Sequence, residues 1–328
     1  MEKYTGKDFS QFSFLITGGA GFIGSNLVAY LLRNDAKLVR VLDDYSNGFE
    51  KNITPFLDHP NFEMMVGDIR NLETCKKACK NIDVVSHQAA LGSVPRSLKD
   101  PITSNDVNVT GFVNMLYAAK EAGISRFVYA ASSSTYGDSL ELPKQEDKIG
   151  MPLSPYAVTK YANELYAHVF ALNYEMQIIG LRYFNVYGPK QDPFGAYAAV
   201  IPLFMKAAIE GVAPTINGEG LQSRDFTYVD NAIQANVRAF FAEIDNGHEV
   251  VNVACGQRTD LNELWSYIQK AAGIALPANY GPNRKGDIQD SLANLSKAER
   301  ILGYKPEVFV EQGIQETYNY FKTVFVEN

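Results

Sequence analysis

The chain has 328 residues, 46% of them hydrophobic and 20% charged, enough to bury one large core or two moderate ones. Thirty Lys and Arg against 37 Asp and Glu leave a net charge of −7, which argues against a general binder of nucleic acid or anionic membranes. No apolar run reaches the ~18 residues of a membrane span, and Lys3, Lys7 and Asp8 interrupt any apolar core at the start, so neither membrane insertion nor a leader is expected.

In chain order, Phe12 to Thr17, Leu38 to Leu42, Phe62 to Val66, Asp83 to Ser86, Arg126 to Ala130 and Ile178 to Arg182 read as strands. Gly24 to Asn34, Leu72 to Cys79, Ser104 to Ala122 and Pro155 to Tyr174 carry apolar residues at helical spacing. Alternating strand and helix imply parallel pairing through right-handed crossovers, hence an α/β, doubly wound sheet. After Tyr187 the stretch Gly188 to Gly195 holds two prolines and two glycines, and later elements are shorter. The expectation is a nucleotide-binding domain over 1–187, to which 225–253 returns, and a smaller α/β substrate domain over 188–328. Cys75 and Cys79 lie one turn apart and Cys255 is remote, with no Cys-x-x-Cys spacing. They read as small core hydrophobes in a reduced, cytoplasmic interior, and no metal site is expected.

The segment Thr17-Gly18-Gly19-Ala20-Gly21-Phe22-Ile23-Gly24 closes the first strand and opens the first helix. Glycine there permits a tight turn and brings backbone N–H groups and a helix N-terminus onto a pyrophosphate. The second strand ends at Asp43, placed to accept from an adenosine ribose, and Asp44-Tyr45-Ser46-Asn47 offers no cation to a 2′-phosphate, which favours NAD over NADP. Asp68, after the third strand, reads either as an acceptor for the adenine amino group or as a helix N-cap. His87 reads as a packed histidine, while Gln88, Ala89 and Ala90 beside it offer small residues to a cofactor.

Tyr156 and Lys160 stand four residues apart, on one face of a helix opened by Pro155. A phenol of pKa ~10 is a poor base at neutral pH, and a nearby ammonium favours the phenolate. Ser132, Ser133 and Ser134 follow the fifth strand at the sheet edge where ligands bind, and a hydroxyl there can bridge substrate and tyrosine.

These motifs, with Leu181-Arg182-Tyr183-Phe184-Asn185, resemble the extended short-chain dehydrogenase/reductase family over essentially the whole chain. Within it the sequence is similar to nucleotide-sugar 4-epimerases, above all the bacterial UDP-N-acetylglucosamine 4-epimerases of surface-polysaccharide pathways. That likeness rests on His87 to Ser97 and on Tyr197-Ala198-Ala199-Val200-Ile201-Pro202. The resemblance implies tightly held NAD, contacted by Gly18, Gly21, Phe22, Ile23 and Gly24, then by Asp43, Asp44, Tyr45, Ser46, Asn47 and Gly48. Asp68, Ile69, Gln88, Ala89, Ala90 and Phe184 complete that set, together with Tyr156 and Lys160. Tyr156 is implied as the base at the sugar 4-hydroxyl, with Ser132 on the same oxygen and Lys160 on the nicotinamide ribose. Oxidation at C4 gives a 4-keto sugar that is reduced again on its other face.

For a UDP-sugar substrate the resemblance implies Arg224 and Arg284 on the diphosphate, Asp287 on the uridine ribose, and Asn185 at the sugar and its phosphate. Gly92, Ser93, Ser132, Ser133, Gln191, Ala199, Val200, Thr215 and Asn217 complete the substrate set. Ser291 stands where galactose-only epimerases carry tyrosine, leaving room for an N-acetyl group. The dehydratases of the family place an acid pair after the catalytic hydroxyl, where this chain has Ser133 and Ser134. UDP-N-acetyl-hexosaminuronic acids and UDP-glucose stay open as substrates, as does a silent NAD-binding scaffold. Apolar residues on several faces of 104–122 (Val109, Phe112, Met115, Leu116) and 155–174 (Leu165, Val169, Phe170, Leu172) suggest a homodimer through a four-helix bundle.

Overall fold

Seven short apolar runs, each leaving its neighbour by a crossover, build one parallel sheet. The computed structural model describes residues 4–195, 198–245, 247–282 and 289–326; Arg284, Asp287 and Tyr197 lie outside them. In chain order come β1 (Ser13–Thr17), α1 (Phe22–Arg33), β2 (Leu38–Asp43), β3 (Phe62–Val66), α2 (Leu72–Ala78) and β4 (Val84–His87). There follow α3 (Val94–Lys99), α4 (Pro101–Asn105), α5 (Gly111–Glu121), β5 (Arg126–Ser132), α6 (Pro155–Tyr174) and β6 (Gln177–Tyr183). The remainder holds β7 (Val186–Tyr187), α7 (Val200–Glu210), β8 (Thr215–Asn217), β9 (Ser223–Arg224), β10 (Thr227–Tyr228), α8 (Val229–Phe241) and β11 (His248–Val253). It ends with β12 (Thr259–Asp260), α9 (Leu261–Ala272), β13 (Asn279–Gly281), α10 (Ser296–Leu302) and α11 (Val310–Val326).

The sheet order is β11-β6-β5-β4-β1-β2-β3, parallel at every pairing. The chain runs outward from β1 to β3 and then returns to lay β4 beside β1. That reversal opens a crevice at the carboxyl ends of β1 and β4, where ligands of such sheets sit. Both faces are covered. Phe14, Ile16 and Val41 pack with α1 and α8 on one side, in a cluster that also takes in Phe204, Trp265 and Ile314 from beyond residue 188. Leu15, Val85 and Phe127 pack with α2, α5 and α6 on the other.

Two features refine the expectations. Residues 101–121 are helical without a break, but not as a plain α-helix: α4 passes through a π turn at Asp106–Thr110 into α5. The wide turn points Asn108 inward, where its amide donates to Leu91 O (3.2 Å) and Thr159 Oγ1 (3.1 Å) and accepts from the Leu91 N–H (2.8 Å). It thereby ties the segment after β4 to α6. Secondly, Phe112, Met115 and Leu116 are core residues against the sheet, whereas α6 exposes Val158, Leu165, Val169 and Leu172. The cysteines are all buried and free, and burial pushes each thiol up to about 12. Among the described residues no helix is long and apolar enough to cross a membrane.

Candidate active site

At the turn between β1 and α1, Gly18 has φ +68°, and a Cβ there would come within 2.7 Å of the Ala89 nitrogen. Glycine lets the β1 and β4 ends close on each other, which leaves the amides of the turn facing the crevice. Asp43, at the end of β2, accepts from the Ala20 N–H (2.9 Å) and the Tyr45 N–H (2.8 Å). It is 7% exposed, and burial raises its pKa despite those donors. One carboxylate thus fixes the glycine turn against the segment 44–49. Asp68 lines the same crevice, but its carboxylate takes a fork from Arg70 (2.6 and 2.9 Å) and its pKa falls accordingly. The N-cap of α2 is Asn71 rather than Asp68. His87 is buried, with Nδ1 2.9 Å from Thr17 Oγ1.

The catalytic candidates come together. Ser154 caps α6 by accepting from the Ala157 N–H (3.2 Å), Pro155 opens it, and the Tyr156 N–H donates to Ser97 Oγ on α3 (3.1 Å). Tyr156, Lys160, Ser132 and Ser133 all line a cavity of about 710 Å³ that also holds the glycine turn and residues 43–49. Lys160 Nζ donates to Ala130 O (2.8 Å) and lies 6.0 Å from the centroid of the Tyr156 ring. Burial lowers the lysine to about 8. Burial also raises the Tyr156 phenol, and its hydrogen bond with Ser132 pulls it back in part. In this arrangement the ammonium donates to Ala130 O, and burial sets the direction of the phenol's shift.

Of the residues expected around the cofactor, Gly18, Gly21, Phe22, Ile23, Gly24, Asp43 to Gly48, Asp68, Ile69, Gln88, Ala89, Ala90, Tyr156 and Lys160 line this cavity. Phe184 does not: its side chain is fully buried with Tyr136, Ala254 and Ala293 behind the site. Gly92, Ser93, Asn185, Gln191 and Ala199 also line it. A second cavity of about 230 Å³ shares Asn185, Val186, Gln191 and Ala199 with the first and adds Val200, Asn217 and Arg224. Thr215 lines neither; it is exposed on β8, which pairs with β13. Ser291 also lies off both linings, and its N–H donates to Ser223 O (3.1 Å), next to Arg224. Gln191 Oε1 is buried without a hydrogen-bond partner, at the junction of the two cavities. Arg96 lines the large cavity as well. Sequence reasoning passed over it, because it pairs with a residue 49 positions away.

A dinucleotide turn opening onto a buried Tyr–Lys–Ser set decides the family when set beside known proteins. The model of the NAD dependent epimerase/dehydratase family matches residues 14–254. The chain belongs to this family. It is 36% identical over 310 residues to the UDP-glucose 4-epimerase of Mycolicibacterium smegmatis, spanning 94% of this chain and 98% of that protein. The UDP-N-acetylglucosamine 4-epimerase from Methanobrevibacter ruminantium M1, solved in complex with UDP-N-acetylmuramic acid, superposes with a TM-score of 0.90 at 35% identity, over 95% of this chain and 99% of that one. The UDP-glucuronic acid 4-epimerase from Bacillus cereus, solved with UDP-glucuronic acid and NAD, gives 0.87 at 33% identity, over 95% and 99%.

NAD is the cofactor of this family, and the crevice fits it. The close approach of Gly18 to Ala89 would be filled by any side chain, and the α1 N-terminus faces the opening without an acidic residue in its first turn. Asp43 stands at the end of β2 with no lysine or arginine among residues 44–48, as a dinucleotide without a 2′-phosphate requires.

Proposed function

We propose that the protein is a UDP-sugar 4-epimerase that prefers N-acetylhexosamines, interconverting UDP-N-acetylglucosamine and UDP-N-acetylgalactosamine. The observation that carries this reading is that Tyr156, Ser132 and Lys160 share one cavity with the dinucleotide turn, and that this cavity continues past Gln191 into one lined by Arg224. NAD, when bound, supplies reversible oxidation at the sugar C4. Tyr156 takes the 4-hydroxyl proton and returns it. Ser132, already bonded to the phenol, holds the same oxygen. Lys160, at about 8, remains largely charged at neutral pH and offsets the phenolate as the proton leaves. Ser133 and Ser134 carry no acid group, so elimination of water from the sugar has no proton donor there.

Preference for the acetamido sugar is supported by one feature of the cavity junction: Gln191 Oε1 is a buried acceptor without a partner where the two cavities meet, suited to an amide N–H. A plain hexose offers only its shorter 2-hydroxyl in that place, and an acceptor left unpaired costs about 1–3 kcal/mol, on the order of tenfold to a hundredfold in kcat/KM. In this reading residues 188–328 form the sugar-nucleotide domain, with Arg224 on the diphosphate. The exposed Val158, Leu165, Val169 and Leu172 share one stripe of α6 and support a homodimer through that helix.

Incubation without added cofactor, separately with UDP-N-acetylglucosamine and UDP-glucose, followed by proton NMR, tests the proposal. Conversion of the acetylated sugar to its C4 epimer at least tenfold faster is expected. Equal rates would sink the preference, and conversion of a UDP-uronic acid alone would move the assignment to that class.

A further inference from the structure

Arg96 reaches across the mouth of the large cavity. Ser93 caps α3 by accepting from the Arg96 N–H (3.1 Å), and Arg96 Nη2 donates to Asn47 Oδ1 (3.0 Å). Asn47 belongs to the segment after β2, which folds back on the glycine turn. There the Phe49 N–H donates to Ala20 O (3.1 Å), and Asn52 Nδ2 donates to the same carbonyl (2.9 Å). The pair therefore bridges the glycine-turn wall and the opposite wall that carries Ser93. Both residues line the cavity.

The charges around the cavity give this bridge a purpose. Among the described lining residues the cations are Arg96 and Lys160, against the carboxylates of Asp43, Asp44, Asp68 and Asp192. A dinucleotide brings two phosphate charges, and the glycine turn answers them with amides and a helix end but no cation. Lys160 is committed to Ala130 O beside Tyr156. Arg96 is the lining cation held to the segment that folds back on the glycine turn, and a guanidinium suits phosphate by charge and by forked donation.

We propose that Arg96, latched on Asn47, is the residue that retains the dinucleotide through the catalytic cycle by pairing with its phosphates. The latch is built on α3, which also presents Ser93 to the cavity and Ser97 to the Tyr156 N–H, so cofactor retention and the catalytic helix share one support. The inference rests on NAD as the cofactor and not on which sugar is turned over.

The holoenzyme as purified is mixed with excess isotopically labelled NAD, and the label in the bound fraction is followed by mass spectrometry after denaturation. Arg96→Ala should exchange at least tenfold faster than the parent, with Arg96→Lys between them, because an ammonium keeps the charge but not the fork. Turnover by Arg96→Ala without added NAD should fall and be restored by supplying it. Unchanged exchange would overturn the proposal, as would lost turnover that added NAD does not restore. Should Arg96→Ala not fold, Asn47→Ala is read instead: it keeps the guanidinium and removes the latch, exchange should quicken at least threefold, and a parental rate would overturn the proposal.

Discussion

Arg182 and Glu164 form a closed fork, Nε to Oε1 at 2.8 Å and Nη2 to Oε2 at 2.7 Å, with side chains 3% and 7% exposed. Glu164 lies one turn beyond Lys160 on α6, and Arg182 stands near the end of β6, where its Nη1 also donates to Glu146 O (3.0 Å). The catalytic helix is therefore fastened to the sheet by charge as well as by apolar packing. Removing one partner leaves the other buried and unpaired. Glu164→Ala is expected to cost about 3–5 kcal/mol in urea unfolding. The double change Glu164→Leu, Arg182→Met should recover most of it. A loss below about 1 kcal/mol for the single change would contradict this view of the fork.

Tyr156→Phe removes one hydroxyl and keeps the buried ring beside Lys160. The account expects kcat to fall by about 10²–10⁴, the range for a lost acid–base group, while the purified variant still carries NAD. Absorbance of the released nucleotide and steady-state rates decide it together; near-parental turnover would remove Tyr156 from the role of base.

Burial lowers His87 and His248 to about 3, against an ordinary 6.5. Below pH 6.5 the unfolded chain binds a proton at each, and the folded chain does not until about 3. Each therefore contributes stability that is full above 6.5 and lost as pH falls, at about 1.4 kcal/mol per pH unit. Asp225 and Asp230, pushed up to about 6 by burial, act in the opposite sense between pH 6 and 4. The histidine term is thus isolated by difference. Between pH 6 and 4 the parent should lose stability relative to His248→Gln by about 1.4 kcal/mol per unit, and parallel curves would refute it.

Much of this molecule was legible from its sequence, because the signals were local. Pro155 after Ser154 marks the start of α6, and the glycine turn between an apolar run and a helix marks the crevice. What escaped depended on contacts between distant segments. The π turn at Asp106–Thr110 keeps an apolar pattern that periodicity reads as plain helix, yet it is what aims Asn108 at Leu91 and Thr159. Six residues are too few for α3 to show a pattern, although Ser93 and Pro95 are start signals in plain view. Phe184 was misplaced because the segment's resemblance does not reveal which way a side chain turns, and here it turns into the core. The upward shift of the Tyr156 phenol depends on burial, which spacing alone cannot convey.

The central claim, oxidation and reduction at one carbon inside one closed site, is tested most directly with UDP-N-acetylglucosamine deuterated at C4 and no added cofactor. The account predicts the C4 epimer with its deuterium retained, since what leaves that carbon is held in the pocket and returned to it. Loss of the label to water, or no conversion until NAD is supplied in stoichiometric amounts, would contradict it.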